Sequence, residues 1–393
     1  MPAAPRPSPP TEAPRFAARA PDVSVEQVET QAGRDEFIRF QLEHYAGDEH
    51  FVPPIVAERR DFLDPKVNPF FEHARVAYFL ARRNGKVVGR VAACVDSRYN
   101  HFHDTLDGFV GFFESHNDPG LAAALFEAAL AWLKRQGMKR VVGPVNLAFH
   151  HDCGLLLDGF ERPPSMMMPY NPRFYGRLFE ANGFVKMKDL ASYEVLASQG
   201  LPEKVVRLAE RCRRSGAVQV RRLDTVSPEE DVRRIKAIYE TMLKPGFGFA
   251  PLTDAEFDQL VHRLRPIVLL RPELSLLAEA GGEAVAFSIT LPDTNIAQKA
   301  AGGYLFPFGL AKMLWAARGI DRLRGLLFGI KAGWRRRGID ALLAQETFHQ
   351  AVKLGYTSGE LGWVVEDDRL MNRTIQATGA RRIKTYRVYE RPL

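Results

Sequence analysis

The residues best suited to bind an anion lie in the segment GWRRRGIDALL, residues 333–343, where three arginines precede a glycine. Arg335, Arg336 and Arg337 supply positive charge and forked N–H donors that match phosphate oxygens. Gly338 lets the backbone approach a phosphate closely. The helix predicted to follow adds unsatisfied N–H groups and a partial positive charge at its first turn. The segment therefore predicts a site for a pyrophosphate or a 3′-phosphate.

Asp340 is unexpected in a phosphate site, because its carboxylate would repel a phosphate that it faced. It can instead point away, cap the helix or hold Arg337. The alternative for the whole segment is an exposed basic turn that only caps a helix. The corresponding turn in the first half of the chain, FFESHNDPGLAAAL, carries Glu114 and Asp118 and no arginine, so it does not offer the same electrostatics.

The elements that must position this segment occur twice along the chain in the same order. Each half contains two apolar strands around a tight turn, Asn84-Gly85 in the first half and Gly281-Gly282 in the second, which is a strong hairpin signal. Each half then continues with a long helix between short strands. We predict an α/β (α+β) fold of two tandem domains, each a mixed twisted sheet flanked by helices.

Composition and spacing set the predicted boundaries of these domains. Residues 1–21 are rich in proline and alanine and lack the apolar core of a secretory signal, so we predict a disordered tail there. Residues 22–198 form the first predicted domain and residues 203–393 the second. The second domain contains an amphipathic insert at residues 295–322.

This order of elements, with two helices between the first two strands and a helix after the fourth, resembles the GNAT acyltransferase superfamily. The resemblance covers nearly the whole chain outside the tail and is strongest over residues 323–389. In that superfamily the loop between the fourth strand and the third helix reads Arg/Gln-x-x-Gly-x-Gly/Ala, and here residues 335–340 read RRRGID. The resemblance implies N-acyl transfer with acyl-CoA as co-substrate. We assign acyl-CoA to the second domain, and give the first domain a substrate-binding or structural role. The predicted cofactor-binding residues are Trp334, Arg335, Arg336, Arg337, Gly338, Ile339, Asp340 and Ala341.

The resemblance also implies where the chemistry takes place. N-acyl transfer requires a base for the amine, a donor for the thioester carbonyl and an acid for the leaving thiolate. Glu360, within the predicted fifth strand, and Glu366, at its end, are the candidate bases, and the alternative for each is a solvated charge. The position at which the superfamily often carries a proton-donating tyrosine is Ile375 here, which cannot donate a proton. Tyr386 and Tyr389 on the last strand are possible substitutes, of which Tyr386 is a candidate catalytic residue, with a packing role as the alternative, so the acid is left unassigned.

A polar cluster, NLAFHHDCGLLLDGF at residues 146–160, lies in a long predicted connection. Its His150, His151, Asp152 and Cys153 suggest a metal site or a Cys-His nucleophile. Their spacing matches no zinc pattern, so we predict no metal. We expect the connection to form part of a substrate pocket instead, with His151 as a candidate catalytic residue and with Met167 and Tyr170 as lining residues. The alternative is that the methionines belong to an ordinary core.

The insert carries an apolar stripe with basic flanks. Phe306, Leu310, Met313, Leu314 and Ala317 have the spacing of one helical face. Basic flanks and a tryptophan are typical of a helix that lies on anionic lipid. The alternative is an amphipathic helix packed on the protein's own core or on the first domain. We assign lipid contacts to Phe306, Phe308, Leu310, Leu314 and Trp315.

An apolar segment close to a phosphate site would suit a long-chain acyl-CoA and a lipid amine. The segments LFPFGLAKMLW, RRRGIDALL, ELGWVVEDDRLMNR and KTYRVYERP resemble those of proteobacterial tandem GNAT proteins that include bacterial ceramide synthases. This resemblance implies N-acylation of a sphingoid base. Two alternatives remain open, a small-molecule or aminoacyl transferase and a non-catalytic acyl-CoA or lipid sensor.

The bulk composition limits which partners and which cellular compartment the protein is expected to have. A formal charge of +7 over 393 residues is mildly basic and fits nucleic acid, anionic lipid or a polyphosphate cofactor equally well. Since the motifs favour acyl-CoA and a lipid amine, we expect no nucleic acid partner. Three widely spaced cysteines do not predict a disulfide framework, which favours a reducing compartment. No stretch of about 18 uncharged apolar residues occurs. We therefore expect a cytoplasmic protein with peripheral association at the inner membrane.

Overall fold

A computed structural model describes residues 20, 22–244 and 247–393. The predicted tail, residues 1–21, lies outside the described residues except for Ala20. The described helices are α1 (Gln31–His44), α2 (Val56–Leu63), α3 (Ser97–His103), α4 (Pro119–Arg135), α5 (Tyr175–Ala181), α6 (Glu203–Arg214), α7 (Glu229–Glu240), α8 (Asp254–Leu270), α9 (Asn295–Ala301), α10 (Gly309–Ala316), α11 (Ile339–Lys353) and α12 (Arg369–Ala377). The described strands are β1 (Ser24–Val28), β2 (Ala74–Arg83), β3 (Lys86–Asp96), β4 (Asp107–Ser115), β5 (Arg140–Gly143), β6 (Leu155–Asp158), β7 (Val185–Leu196), β8 (Gln219–Arg222), β9 (Ser275–Ala280), β10 (Glu283–Pro292), β11 (Arg322–Ile330), β12 (Ser358–Val365) and β13 (Arg381–Pro392).

The strands form one continuous mixed sheet in the order β1-β2-β3-β4-β5-β13-β7-β12-β11-β10-β9-β8, with β6 pairing to β13. In each half four antiparallel strands lead to one parallel pair, β4 with β5 and β11 with β12. Both predicted hairpins are present, β2 with β3 and β9 with β10. The prediction of an α/β fold with the same architecture in each half is confirmed.

The closing strand of each half pairs with the other half. β7, the last strand of the first half, is antiparallel to β12, and β13, the last strand of the second half, is antiparallel to β5. β7 and β13 also pair with each other along most of their length. The two halves are therefore joined by backbone hydrogen bonds as well as by the chain segment at residues 199–202.

Helices cover both faces of the sheet in each half. In the second half, α6 and α11 pack with Leu276 and Ala278 on one face, whereas α7 and α8 pack with Leu277 and Phe287 on the other. The first half repeats this arrangement, with α1 and α2 on one face and α4 and α5 on the other. The alternation of apolar side chains along β9 explains why both faces can be covered.

The insert between β10 and β11 consists of two short helices with different surroundings. α9 and the turn after it lie against the first half, since the N–H of Val56 donates to the carbonyl of Gly303 at 2.9 Å. α10 has no buried residue except Gly309. The predicted continuous helical stripe is wrong at Phe306, which precedes α10, because Gly302 and Gly303 adopt positive φ and end α9 before it.

An ion-pair cluster fastens α8 to the first half. His73 Nδ1 lies 3.0 Å from Asp96 Oδ1, and His73 Nε2 lies 3.2 Å from Glu256 Oε2 as an ion pair rather than an aligned hydrogen bond. The Arg98 side chain donates to the carbonyls of Pro251 and Leu252, just before α8. Although burial alone would lower the pKa of His73, the two carboxylates raise it to about 9.

We predict that this cluster makes stability depend on alkaline pH. Since the pKa of His73 is raised above its ordinary 6.5, its stabilising effect is complete below pH 6.5 and is lost as pH rises through about 9. His73→Phe should lower the free energy of unfolding by about 1–3 kcal/mol at pH 6. The change leaves the largely buried carboxylates of Asp96 and Glu256 without the imidazolium that pairs with both. Urea unfolding at pH 6 and pH 10 measures this, and a difference of the same size at both pH values would contradict it.

Candidate active site

A gap opens in the sheet of the second half where β11 and β12 diverge. The two strands pair in parallel from Arg322 with Ser358 to Gly325 with Leu361 and no further. At the same point the register of β11 on β10 shifts by one residue, so that Leu326 forms a bulge. A bulge bends its strand and interrupts the ladder. The divergence therefore creates a passage between the two faces of the sheet.

A cavity of about 1130 Å³ occupies this passage and continues on both faces. Residues of α6, α11 and α12 line it on one face, and residues of α7 and α8 line it on the other. Most of the lining side chains next to the gap are apolar, among them Leu326, Leu327, Phe287, Leu264 and Trp363. The volume exceeds the range of about 300–1,000 Å³ that is usual for small-molecule pockets, so a ligand with a long apolar part fits it.

The arginine loop lies between β11 and α11 at the rim of this cavity, since Asp340 and Ala341, which follow it, line the cavity. Arg335, Arg336 and Arg337 are exposed, and Arg337 stacks on the Trp334 ring at 4.6 Å. Gly338 has a φ of 80° and precedes the first residue of α11. A side chain there would come within 3.3 Å of the Leu208 carbonyl on α6, so both the conformation and the space favour glycine.

No side chain caps α11 among the described residues, and its first backbone hydrogen bond is donated by Leu342. The N–H groups of the first turn therefore remain available to an anion. Asp340 and Ala341 line the cavity, and Ile339 is buried in the core between α6 and α11. Of the predicted cofactor-binding residues, the arginines and the helix start have the exposure that a phosphate site requires.

Two basic residues of the cavity lining were missed by sequence reasoning. Lys204 on α6 and Arg373 on α12 line the cavity and are exposed. Lys204 lies 131 residues before Arg335, and Arg373 lies 36 residues after Arg337. No local pattern therefore connects them with the arginine loop. Each is one charge on an amphipathic helix, which by itself is typical of a solvated face.

The equivalent positions of the first half are filled by its own residues. The Asp118 carboxylate accepts hydrogen bonds from the N–H groups of Gly120 and Leu121 and caps α4. The plug loop, which we define as residues 144–154, closes the gap between β4 and β5: the N–H of Val145 donates to the carbonyl of Val110, and Asn146 Oδ1 accepts from the N–H of Phe112. This filling agrees with the electrostatic difference predicted between the two halves.

Glu360 lies in a buried polar cluster where the two halves meet. Ser165 and Ser192 each donate a hydrogen bond of 2.5 Å to its carboxylate, and Lys384 Nζ lies 3.5 Å away. Burial alone would raise the pKa of Glu360, but the Lys384 ammonium and the Arg324 guanidinium bring it below its ordinary value. Glu360 does not line the cavity. Because its carboxylate is held by Ser165 and Ser192 away from the cavity lining, the geometry favours a structural role over the predicted catalytic one.

The other predicted catalytic residues on the last strands also lie apart from the cavity lining. Glu366 is on the surface, where it pairs with Lys186 at 2.7 Å and accepts from the N–H of Asp189. Tyr386 is fully buried beside the Glu360 cluster, and its hydroxyl has no hydrogen-bond partner among the described residues. Burial raises the pKa of Tyr386 well above its ordinary value. Neither side chain reaches the gap between β11 and β12.

Two histidines of the plug loop do reach the cavity. His151 packs edge-to-face against the Phe62 ring at 4.7 Å, and burial lowers its pKa to about 3. His150 Nε2 lies 2.9 Å from the hydroxyl of Tyr239 on α7, and both residues line the cavity. Sequence reasoning pointed to this loop but selected His151, because Tyr239 lies 89 residues away and no pattern paired it with His150.

The remaining predicted lining residues divide between the cavity and the surface. Met167 lines the cavity. Tyr170 lies outside it and donates to Asp48 at 2.9 Å. Five residues of the insert are exposed and do not line the cavity: Phe306, Phe308, Leu310, Leu314 and Trp315. Among the described residues, no group of three or more His, Cys, Asp or Glu side chains is arranged to hold a metal ion.

Comparison with known proteins identifies the family. The model of the acetyltransferase (GNAT) family matches residues 41–155, which lie in the first half rather than in the region 323–389 where the resemblance was expected to be strongest. The chain is also 35% identical to the bacterial ceramide synthase of Caulobacter vibrioides over 379 residues, which cover 95% of this chain and 98% of that protein. The chain belongs to the GNAT acyltransferase family. This GNAT protein is further 30% identical to the protein YghO of Escherichia coli over 364 residues, 91% of this chain and 92% of that one.

Solved structures share the fold of this GNAT protein at low sequence identity. A tandem GNAT protein from the clavulanic acid biosynthesis pathway superposes with a TM-score of 0.57 and 11% identity, over 94% of this chain and 98% of that one. A GCN5-related N-acetyltransferase from Sphaerobacter thermophilus superposes with a TM-score of 0.53 and 16% identity, over 95% of this chain and 97% of that one. The predicted tandem GNAT fold is confirmed, and the protein is an N-acyltransferase of the GNAT type. The family uses acyl-CoA as co-substrate.

Proposed function

We propose that this GNAT protein transfers a long fatty acyl chain from acyl-CoA to the amine of a sphingoid base. The observation that carries the proposal is the apolar cavity, which runs from the start of α11 through the gap between β11 and β12 to the face covered by α7 and α8. One ligand that enters from the arginine loop can keep its phosphates at the rim and its apolar part inside.

The two ends of the cavity match the two parts of an acyl-CoA. Arg335, Arg336 and Arg337 would hold the phosphates with the uncapped start of α11. The bulged residue Leu326 lies where the strands diverge, and the backbone around it is the place to polarise the thioester carbonyl. Beyond the gap, the apolar walls from α7 and α8 suit alkyl chains.

The apolar walls also favour a lipid amine over a polar acceptor. A small-molecule or aminoacyl acceptor would require several convergent polar groups. The lining around the gap instead consists mainly of Phe249, Trp363 and aliphatic side chains, and its polar members are the His150–Tyr239 pair, Ser288, Thr290 and Arg324. The similarity to a protein named bacterial ceramide synthase supports the same acceptor.

The decisive experiment combines purified protein, palmitoyl-CoA and sphinganine, with the N-acyl product measured by mass spectrometry. We expect an amide product together with one equivalent of free coenzyme A. Acylation of short polar amines without acylation of sphinganine would support the small-molecule alternative. Binding of acyl-CoA without turnover of any amine would support the sensor.

We further propose that the insert associates with an anionic membrane surface. Phe306, Phe308 and Trp315 are 78%, 71% and 74% exposed, and Leu314 is exposed beside them. Lys312 lies on the same helix and is exposed. Contiguous exposed aromatic residues with basic neighbours fit the interface of an anionic bilayer. None of the described helices has both the length and the apolar character to cross a membrane.

We predict that Phe306→Ser, Phe308→Ser and Trp315→Ser together abolish flotation with phosphatidylglycerol vesicles. Each large side chain contributes about 1.5–3 kcal/mol when fully transferred from water, so the loss should exceed about 100-fold in partitioning. The matched control changes three exposed apolar residues elsewhere, Val67, Leu106 and Val185, to serine. If both triple variants float like the unchanged protein, the insert does not bind the membrane.

A further inference from the structure

The half of the chain that lacks an open acyl-CoA gap still supplies a side chain to the cavity of the other half. The plug loop is closed at its base by hydrogen bonds from the N–H of Gly154 to the carbonyl of Pro144 and from the N–H of Asn146 to the carbonyl of Asp152. Its tip projects His150 into the cavity, where it meets Tyr239 of α7. The cavity is therefore built from both halves.

His150 is connected to the strand gap by a row of ring contacts. The His150 ring lies 5.0 Å from the Phe249 ring, and Phe249 stacks on Trp363 at 5.2 Å with an angle of 10° between the planes. Trp363 follows Leu361, the last residue of β12 that pairs with β11. All three rings line the cavity. The hydroxyl of Tyr239 and the gap are thus parts of one continuous site.

Burial keeps both members of the His150–Tyr239 pair uncharged. The Tyr239 hydroxyl lies 2.9 Å from Nε2 of His150, and a tautomer with its proton on Nδ1 would let Nε2 accept from that hydroxyl. Burial lowers the pKa of His150 to about 4, and the nearby carboxylates of Glu256 and Asp96 offset this only in part, while His73 lowers it further. Burial also raises the pKa of Tyr239. Both groups are therefore neutral near pH 7.

We propose that Tyr239 and His150 form the proton relay of the acyl transfer. This inference rests on the proposed function and assigns the step for which the predicted residues Glu360, Glu366 and Tyr386 lie outside the cavity lining. It also gives the first half a role in the chemistry of the second.

The relay balances the reaction without another reagent. The amine nitrogen attacks the thioester carbonyl carbon, which forms the C–N bond. The surplus proton on nitrogen passes to the Tyr239 oxygen as the Tyr239 proton passes to His150 Nε2. The C–S bond then breaks, and the thiolate takes the proton that the imidazolium returns through Tyr239. The products are the amide and free coenzyme A, and His150 is neutral again.

The test compares Tyr239→Phe, His150→Gln and the double variant in single turnovers with bound palmitoyl-CoA and sphinganine. Each single variant should lower the rate of coenzyme A release at least about 100-fold, as loss of a general acid–base group does. The dissociation constant for palmitoyl-CoA should change less than about twofold, since neither group contacts the phosphate rim. The double variant should be no slower than the slower single variant, because one relay is lost in each case. Tyr78→Phe, which removes a buried hydroxyl of the first half that donates to the Leu63 carbonyl, is the matched control and should keep the rate.

A Tyr239→Phe rate of coenzyme A release within threefold of that of the unchanged protein would overturn the relay. A double variant whose rate is lowered by the product of the two single losses would also overturn it, because the two residues would then act independently. Nitrogen-15 spectra of the histidine rings give a second readout that needs no turnover. We expect His150 to stay neutral with a protonated Nδ1 from pH 6 to pH 9, and a His150 that titrates near pH 6.5 would also overturn the proposal. Protein that releases coenzyme A with hexadecylamine but not with sphinganine would refute the proposed acceptor and still measure the relay.

Discussion

Changing Arg335, Arg336 and Arg337 together to glutamine is expected to weaken binding of coenzyme A by about 100-fold or more. A charge-assisted hydrogen bond contributes about 1.5–3 kcal/mol, and solvent reduces this for exposed side chains, so about 3–4 kcal/mol for the three is a reasonable total. The uncapped start of α11 remains in this variant, so some affinity should persist. Calorimetric titration with coenzyme A, which lacks the acyl chain, isolates the phosphate contribution.

The matched control removes the same charge from another part of the surface. Arg75, Arg381 and Arg382 are exposed on β2 and β13, and their change to glutamine also lowers the net charge by three. The control should bind coenzyme A with nearly unchanged affinity at moderate salt. Equal weakening in both variants would mean that only the overall field attracts the ligand. Unchanged affinity in the loop variant would show that the loop does not hold the phosphates.

The second large effect is expected at Glu360, on stability rather than on acyl-CoA binding. Glu360→Leu leaves the buried Lys384 ammonium and Arg324 guanidinium without their carboxylate. Loss of one partner from a buried ion pair typically costs about 3–5 kcal/mol. Since the pKa of Glu360 is lowered in the folded protein, its contribution is complete above its ordinary pKa and decreases as pH falls through the folded value. Urea unfolding at pH 7 and pH 4 measures both the size and this direction.

Two further variants separate a structural Glu360 from a catalytic one. Glu366→Gln, at the surface, should change the free energy of unfolding by less than about 1 kcal/mol. Adding Lys384→Met to Glu360→Leu should recover part of the lost stability, because the unpaired ammonium is removed. If Glu360→Gln instead folds as stably as the unchanged protein and loses all turnover, Glu360 is the base and the His150–Tyr239 relay is wrong.

The parts of the fold that local residues determine were predictable. Asn84-Gly85 and Gly281-Gly282 all adopt positive φ, as the hairpin turns between β2 and β3 and between β9 and β10 require. The helix start at Gly338 follows from the same kind of local signal. The pairing between strands that are distant in sequence has no local signal of this kind. β7 and β13 both mix apolar and charged residues, and no residue pattern in either strand indicates that it pairs with the other half.

The candidate site shows the same division. The arginine loop is contiguous in sequence, so its position at the rim of the cavity followed from its place between a strand and a helix. Glu360 was selected because a carboxylate on a strand suggests a base. The residues that surround it, among them Ser165 and Lys384, come from segments far along the chain and could not be inferred from its local sequence. His150 and Tyr239 meet only because the plug loop of one half fills its own gap and projects across to the other.

The exchange of closing strands has a consequence for how the chain is made. β13 follows every other strand in chain order, yet it lies between β5 and β7 in the middle of the sheet. During synthesis the first half therefore leaves the ribosome with an open edge on β5, which must wait for residues 381–392. A nascent chain in this state exposes a template for aggregation, so recognition by a chaperone at the ribosome would benefit this protein more than one whose halves close by themselves.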